Sequence, residues 1–480
     1  MESESLMESE SLMEKRYLEG LFGPLLSISA DSLAALASSV RSRVSGKTFS
    51  GCHVVTRLDE AHHLVYVVEF DDGIKYAIRI SASAWNGRYT ETAKCSLISQ
   101  VHTMRFIREK TTIPLPEVYA FDTTSENEIG VPYIVMSFID GSTVMSMWFD
   151  KTGPTPLEER RLRTLDTVAQ AMSQLQKFQF DKIGSLQFNN GKDSIEIGPC
   201  YKWDDGQIVD ENSVKKISMK QFGPFNASQS YLEYFVKHNE RTGRPDADEL
   251  RIGTQELLAM MIPCLPCPRK HFLAREKFVL SLPDFNPQNI MIDERGNLTG
   301  IIDWENVQTV PRFLGYSSFP SWITRDWDPL MYDPRSDTEN SPEELNKYRR
   351  WYNRRMKKLL NGNGDSVFTI KSHIFEAISI AAMEDHCRYE IVKNIVEQVI
   401  PKRDDYDSFD LIQDAGNGML MPSDRRRLKK RFKALFSTGW KRRIPFTGEF
   451  FLILKLLLTS LPHNNQMPCL LGWRSYSPAV

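Results

Sequence analysis

Short apolar runs rich in β-branched and aromatic residues dominate the first third of the chain and predict strands. The turn Asp71-Asp72-Gly73 stands between two of these runs, and an Asp-Gly step in that position is a strong hairpin signal. Apolar residues at mostly helical spacing predict a helix over residues 91–110. The predicted order is three strands, one helix and two strands, with the strands at residues 53–57, 63–70, 75–80, 117–121 and 131–136.

Helical periodicity dominates the rest of the chain. Leu165, Val168, Met172 and Leu175 recur every three or four residues and predict a helix over residues 162–180. Two short apolar runs separated by a polar, Gly-containing turn interrupt the helical pattern and predict a hairpin. The hairpin strands are predicted at residues 289–292 and 298–302, and the later helices at 343–360, 374–397 and 423–436.

Three polar residues surround this predicted hairpin. Asp284 precedes it in a polar loop, Asn289 enters its first strand and Asp303 leaves its second strand. A hairpin brings the last two side by side, and phosphoryl transfer requires this set: one carboxylate for the attacking hydroxyl, and an amide and a carboxylate as oxygen ligands for Mg²⁺. The alternative is a polar surface hairpin that binds no metal, because Asp and Asn are common in loops.

The segment resembles the catalytic loop and metal-binding strands of the aminoglycoside phosphotransferase family, and is most similar to the fungal branch of that family. The motif Ile301-Ile302-Asp303-Trp304-Glu305 carries the resemblance. It extends, more weakly, from about residue 49 to about residue 434, and implies an α+β, protein-kinase-like fold with a small antiparallel β lobe containing one helix and a larger, mainly helical lobe. Three further motifs agree with it: residues 311–316, 319–322 and 325–329.

The resemblance also implies roles for individual residues. Asp284 would be the catalytic residue that accepts or orients the hydroxyl proton, and Asn289 and Asp303 would hold Mg²⁺. Arg79 takes the place of the strand lysine that contacts ATP phosphates, although an exposed strand cation is the alternative. Glu305 would either assist the metal site indirectly or cap a turn. The remaining nucleotide-binding candidates are Gln100, in the place of the helix glutamate, and the hinge residues Ser137 and Ile139.

Three departures from the family pattern leave two hypotheses open. Leu282 stands where the family often has a histidine, Gln100 cannot form an ion pair, and the turn at residues 58–62 contains two acids and no glycine. The first hypothesis is an ATP-dependent phosphotransferase acting on a hydroxyl of a small molecule. The second is a kinase-like pseudoenzyme that binds nucleotide or serves as a scaffold. A metal hydrolase is a poorer match, because useful clusters of carboxylate and His ligands are missing from the pattern.

Composition narrows the choice of partners. The 480 residues are 41% hydrophobic and 25% charged with a formal net charge of −2, so a small molecule or a protein is favoured over nucleic acid. The basic cluster within residues 423–436 is interpreted as a solvated helix face. Seven scattered cysteines do not suggest a disulfide framework; Cys264 and Cys267 form the one close pair, for which a redox or zinc role stays open.

The chain is expected to begin with an extension and end with a tail. We find no basic start followed by an apolar core and no run of ~18 apolar residues, and therefore expect a cytoplasmic protein without a transmembrane segment. The expected parts are an N-terminal extension with an acidic tandem repeat, partly disordered (1–45), the β lobe (46–140), the helical lobe (141–440) with its catalytic loop (280–305) and substrate-side insertion (185–245), and a tail (441–480).

Overall fold

The structure is a computed structural model. It describes residues 15–49, 51–188, 195–204, 217–238, 249–266, 275–329, 332–362, 364–400 and 407–438. The tail at 441–480, the whole N-terminal repeat and Cys267 lie outside these residues. Cys264 is buried, and its thiol donates to the carbonyl of Met260 at 3.3 Å.

A five-stranded antiparallel sheet forms the small lobe. Its order is β1-β2-β3-β5-β4, and β2 and β3 are almost entirely buried. Helix α2 lies against this sheet, with Leu33, Leu36 and Val40 in one core with Leu64 and Val68. The elements of this part are α1 (15–22), α2 (Ala30–Ser45), β1 (Cys52–Asp59), β2 (His63–Phe70), β3 (Lys75–Ser81), α3 (Glu91–Lys110), β4 (Val118–Asp122) and β5 (Tyr133–Ser137).

The larger lobe is mainly helical and contains three small sheets. These have the orders β13-β12-β6, β11-β14-β7-β8 and β10-β9. Its strands are β6 (Ser142–Thr143), β7 (Gly184–Phe188), β8 (Ile195–Ile197), β9 (Cys200–Asp204), β10 (Ser218–Phe222), β11 (Phe278–Ser281), β12 (Ile290–Ile292), β13 (Leu298–Ile301) and β14 (Gln308–Pro311). Its helices are α4 (Val144–Met147), α5 (Leu157–Ser173), α6 (Ser228–His238), α7 (Glu249–Met261), α8 (Pro342–Leu359), α9 (Ser366–Thr369), α10 (Ser372–Met383), α11 (Asp385–Val399), α12 (Ser408–Gly416) and α13 (Pro422–Phe436).

The arrangement confirms the predicted α+β, two-lobed protein-kinase-like fold. The small lobe has the predicted order of three strands, one helix and two strands. The segment after β5 leads directly into β6, which pairs with β12 through Thr143 and Met291. The connection between the lobes therefore runs beside the hairpin that carries the candidate metal ligands.

Two predicted helices have different bounds in the structure. The helix predicted over residues 374–397 is two helices, because Glu384 has an extended backbone (φ −124°, ψ 103°). The carboxylate of Glu384 pairs with Lys202 of β9 at 2.9 Å, which the local apolar pattern could not reveal. The helix predicted over residues 162–180 begins earlier, at Leu157, and gives way to a 3₁₀ turn after Ser173.

No single helix in the described ranges is long and apolar enough to span a bilayer. One bent pair, Lys15–Ser27 with Ala30–Ser45 at 61°, meets the length and composition criteria when its members are taken together.

Candidate active site

The β12-β13 hairpin brings Asn289 and Asp303 together. Ile290 pairs with Ile301, and the N–H of Ile302 donates to the carbonyl of Asn289 at 2.9 Å. Asp303 then adopts a left-handed backbone with φ +57°, which is costly for residues other than glycine but better tolerated by Asp. Such strained conformations concentrate at functional sites.

Trp304 fixes the orientation of this motif. Its side chain is fully buried in the core, and its indole N–H donates to the carbonyl of Ile301 at 2.7 Å. The buried indole therefore anchors the chain between Asp303 and Glu305, the two carboxylates of the motif.

Asp284 lies against Asn289. The amide of Asn289 donates to Oδ2 of Asp284 at 2.8 Å and to its carbonyl at 3.1 Å, and the amide of Asn286 donates to Oδ1. Burial, together with the negative charge of Asp303, raises the pKa of Asp284 although the hydrogen bond from Asn289 acts in the opposite direction. A carboxylate with a raised pKa is a better proton acceptor.

Packing supports the loop around Asp284. Leu282 is buried in the main core, so an apolar contact stands where the family often has a histidine. On the other side, the N–H of Ser321 donates to the carbonyl of Phe285 at 3.2 Å, and the Phe285 ring packs edge-on against Trp322 at 5.9 Å. Motif 319–322 therefore braces the loop from outside.

The donor set fits a magnesium ion. Among the described residues, the amide oxygen of Asn289 accepts no hydrogen bond, and Asp303 supplies a carboxylate beside it. Mg²⁺ prefers such oxygen ligands and usually binds one or two carboxylates together with substrate phosphates and water. Within the described part of the chain, no group of three or more His, Cys, Asp or Glu could hold a metal by itself. A metal here would therefore depend on the nucleotide for further ligands.

Arg79 reaches this site from β3. Its guanidinium donates to Oδ1 of Asp303 at 2.8 Å and to Oε2 of Glu60, in the β1-β2 turn, at 3.4 Å. Arg79 is buried, so the alternative of an exposed strand cation is wrong. Although burial by itself lowers the pKa of this group, the charges of Asp303, Glu60 and Glu305 raise it above its usual value. Arg79 is a permanent buried cation.

Gln100 lies on α3 near the same cation. It is buried, and with Arg79, Tyr89, Glu305 and other side chains it lines a cavity of about 20 Å³, enough for one water molecule. Glu91, an acid at the start of the same helix, is exposed and pairs with Lys94 at 3.5 Å. Neither residue gives Arg79 a carboxylate from the helix.

The hinge candidates lie at the end of β5. The N–H of Ser137 donates to the carbonyl of Glu117, and its hydroxyl accepts from the Glu117 N–H, both at 2.9 Å. The side chain of Ile139 packs against Gly300 of β13, where a Cβ would come within 2.5 Å of it. Ile139 is therefore close to the metal hairpin, whereas the polar groups of Ser137 are paired with β4.

Two side chains from distant segments, His63 and Trp203, complete the charge network around Glu305, and the sequence analysis did not single them out. Glu305 accepts a hydrogen bond from the indole of Trp203 at 2.8 Å and lies 3.3 Å from Nε2 of His63. Strand register places His63 and Arg79 on the same face of the sheet, because His63 pairs with Ser81 and Val65 pairs with Arg79. That register could have pointed to His63; Trp203 gave no comparable signal.

Glu305 is a buried anion and not a turn cap. Burial alone would raise the pKa of its carboxyl, but the charges and hydrogen bonds of His63, Arg79 and Trp203 lower it to about 2. Glu305 is ionised at neutral pH.

The insertion at residues 185–245 reaches the site through β9. Trp203 contacts Glu305, and its ring also stacks on His62 with centroids 4.7 Å apart. The neighbouring Lys202 pairs with Glu384 between α10 and α11. Strand β9 thus connects the β1-β2 turn to the helices of the larger lobe.

Comparison with known proteins identifies relatives of this chain. The model of the phosphotransferase enzyme family matches residues 54–343. A mitochondrial protein of Clavispora lusitaniae, named "Altered inheritance of mitochondria protein 9", is 21% identical over 60% of this chain and 53% of its own length. A "Subtelomeric hrmA-associated cluster protein" of Aspergillus fumigatus is 22% identical over 56% of this chain and 60% of its own length. The chain thus spans about half the length of the curated relatives it matches.

Solved structures that are similar to this chain include two phosphotransferases. A thermostable mutant of aminoglycoside phosphotransferase APH(4)-Ia, in a ternary complex with ADP and hygromycin B, is 14% identical with a TM-score of 0.38, covering 84% of this chain and 99% of that one. Macrolide 2′-phosphotransferase type I is 10% identical with a TM-score of 0.40, covering 77% and 97%.

The relatives correct one expectation. Several of the fungal relatives are named as mitochondrial proteins. The prediction of a cytoplasmic location is therefore wrong. It was based on the lack of an evident presequence, which is a poor guide to location.

Proposed function

Because this chain belongs to the phosphotransferase enzyme family, we propose that it transfers the γ-phosphoryl group of ATP to a hydroxyl of a small molecule. The proposal depends on one arrangement: Asn289 donates to Asp284, the hairpin brings Asp303 next to Asn289, and Arg79 donates to Asp303. This set contains a proton acceptor, two oxygen ligands and a fixed cation, which are the parts that phosphoryl transfer requires.

In the proposed reaction, Asp284 orients the acceptor hydroxyl and takes its proton. The hydroxyl oxygen forms a bond to the γ-phosphorus, the bond from that phosphorus to the bridging oxygen breaks, and ADP leaves. The raised pKa of Asp284 suits it to accept a proton. Arg79 offers a planar, permanently charged donor to the nucleotide phosphates.

Asn289 and Asp303 would hold Mg²⁺, which supplies positive charge against the phosphate oxygens. Asp303 currently bonds to Arg79, so the same carboxylate connects the cation and the metal ligand set. Backbone groups of the hinge near Ile139 would meet the adenine edge, because that segment is extended and lies beside β13.

Turnover with water in place of the acceptor tests the proposal without knowledge of the substrate. The purified chain should hydrolyse ATP slowly in the presence of Mg²⁺, and Asp284→Asn should lower the rate by about 100-fold or more. Asp181→Asn is the control, because Asp181 is an exposed partner of Lys277 away from the site. Equal rates in wild type and Asp284→Asn, or no phosphorylated product across a broad library of hydroxyl compounds, would contradict the proposal.

A second candidate is nucleotide binding without turnover. Two observations favour it: Arg79 is already paired with the carboxylates of Glu60 and Asp303, and Gln100 on α3 is neutral. This candidate predicts that ATP raises the melting temperature while the rate of hydrolysis is the same in wild type and Asp284→Asn.

A mitochondrial location is proposed from the names of the fungal relatives. A carboxyl-terminal tag on the chain, followed by cell fractionation in a fungal host, tests it. Recovery only in the cytosolic fraction would contradict it.

A further inference from the structure

Three carboxylates lie near the buried cation Arg79: two contact its guanidinium, and the third lines the same small cavity. Asp303 and Glu60 contact its guanidinium directly, at 2.8 and 3.4 Å. Both have a competing role in the proposed reaction. Asp303 is a metal ligand, and Glu60 lies in the β1-β2 turn with 40% of its side chain exposed, on the side from which nucleotide phosphates would approach.

The third carboxylate, Glu305, has no such competing role. Its side chain is 13% exposed, and it is held by Trp203 of β9 at 2.8 Å and by His63 of β2 at 3.3 Å. The backbone N–H of Glu305 donates to Oδ1 of Asp303 at 3.4 Å, which attaches Glu305 to the end of the β12-β13 hairpin. Glu305 is held by side chains from two other segments, and neither of these contacts involves a group that would bind metal or phosphate.

The helix that normally supplies a counter-charge to this cation supplies none here. In protein kinases a glutamate of this helix pairs with the strand cation and orders the active lobe. In this chain the corresponding Gln100 is neutral, but it lines the same small cavity as Arg79 and Glu305. A buried cation without a nearby anion is strongly destabilised.

We propose that Glu305 is a positioning residue that replaces the missing helix glutamate as the lasting counter-charge of Arg79. The inference rests on the proposed function, because it assigns Arg79 to the nucleotide phosphates. Glu305 keeps Arg79 aimed into the cleft while Asp303 serves the metal and phosphate takes the place of Glu60. Trp203 connects this counter-charge to the insertion in the larger lobe.

A charge-relocation experiment tests the inference. Glu305→Gln removes the charge but keeps the size of the side chain, and Gln100→Glu restores a carboxylate from the helix side of the same cavity. We expect Glu305→Gln to lower the melting temperature by about 3 °C or more and to weaken binding of Mg²⁺-ATP about tenfold. We expect the double variant to recover most of both losses, whereas Gln100→Glu alone adds a fourth acid around Arg79 and improves neither.

A matched control is Glu339→Gln. Glu339 is equally buried, with 11% of its side chain exposed, but it pairs with Arg325 at a distance from the site. Its substitution should also lower the melting temperature, and Gln100→Glu should not correct that loss. A general effect of removing a buried carboxylate is thereby separated from the counter-charge role.

Two results would overturn the inference: unchanged ATP affinity in Glu305→Gln, or a double variant no better than Glu305→Gln.

The melting temperatures of the four proteins are compared without nucleotide as well. If wild type binds no ATP, the proposed function fails, and these ligand-free values alone decide the inference. Recovery of stability by Gln100→Glu then supports the counter-charge role, and its absence overturns it.

Discussion

The guanidinium of Arg79 donates to the carboxylate of Asp303 at 2.8 Å, across 224 positions of sequence. This bond joins the third strand of the small lobe to the end of the β12-β13 hairpin. It places the cation proposed for the phosphates and the carboxylate proposed for the metal in one contact.

Glu60 should compete with nucleotide for Arg79. Glu60→Gln removes a carboxylate 3.4 Å from the guanidinium, so phosphate would meet less repulsion there. Partly exposed ion pairs contribute about 0.2–1 kcal/mol, which predicts affinity for Mg²⁺-ATP tighter by about 1.4- to fivefold. Calorimetric titration measures it. Asp59→Asn is the control, since Asp59 is next in sequence but pairs with Arg57 at 2.7 Å; weaker binding by Glu60→Gln would argue that this acid assists nucleotide.

Gly300 should couple the hinge to the metal hairpin. A Cβ on Gly300 would lie 2.5 and 2.7 Å from two side-chain atoms of Ile139. Gly300→Ala should therefore lower the free energy of unfolding by about 1–3 kcal/mol. The same substitution should cost clearly less in an Ile139→Ala background, because both clashing atoms are gone. Urea unfolding of the four proteins tests this, and strictly additive losses would show that Ile139 is not the obstacle.

Leu282 should not tolerate the histidine that the family often has. The side chain is buried in the main core, so Leu282→His places a polar ring among apolar neighbours. We expect a loss of about 2–3 kcal/mol in the free energy of unfolding, against less than about 1.5 kcal/mol for the volume-conserving Leu282→Met. Chemical denaturation provides both values. A histidine variant as stable as wild type and faster in ATP hydrolysis would indicate a missing catalytic support.

Glu376 should make stability depend on pH. Its carboxyl is buried in α10, and burial raises its pKa from 4.5 to about 7. Between these values the unfolded chain has released the proton and the folded chain retains it, so the free energy of unfolding falls as pH rises. The loss from this group approaches about 3 kcal/mol above pH 7.

Glu376→Gln removes this dependence and leaves a neutral side chain of similar size. The variant should gain stability relative to wild type between pH 5 and pH 8, as measured by urea unfolding at both values. A constant difference between the two proteins across that range would contradict a buried, protonated Glu376.

The parts of the site that could be predicted from sequence are local. Asp284, Asn289 and Asp303 lie within 20 positions, and a single hairpin with a readable turn brings the last two together. Short β-rich apolar runs, a turn signal and helical spacing likewise sufficed for the order of elements in the small lobe. The break at Glu384 was missed because the apolar spacing continues through it, and the contact of Glu384 with Lys202 lies far away in sequence.

The surroundings of Arg79 depend on contacts that no local pattern encodes. Glu60 lies in a turn that predicted only repulsion of phosphate, yet it contacts Arg79. Trp203 lies in an insertion whose strand could not be assigned a neighbour from sequence, and it bonds to Glu305 across 102 positions. Sequence reasoning predicted the candidate set Asp284, Asn289 and Asp303 but not the side chains that contact Arg79 and Glu305.

The dependence of the unfolding temperature on both Mg²⁺ and ATP tests the central claim most directly. Thermal unfolding of wild type should shift upward with ATP and Mg²⁺ together, and much less with ATP alone or Mg²⁺ alone. In Asp303→Asn the shift should no longer depend on Mg²⁺. No shift in wild type, or an equal shift with and without Mg²⁺, would contradict a metal-nucleotide site built from Asn289, Asp303 and Arg79.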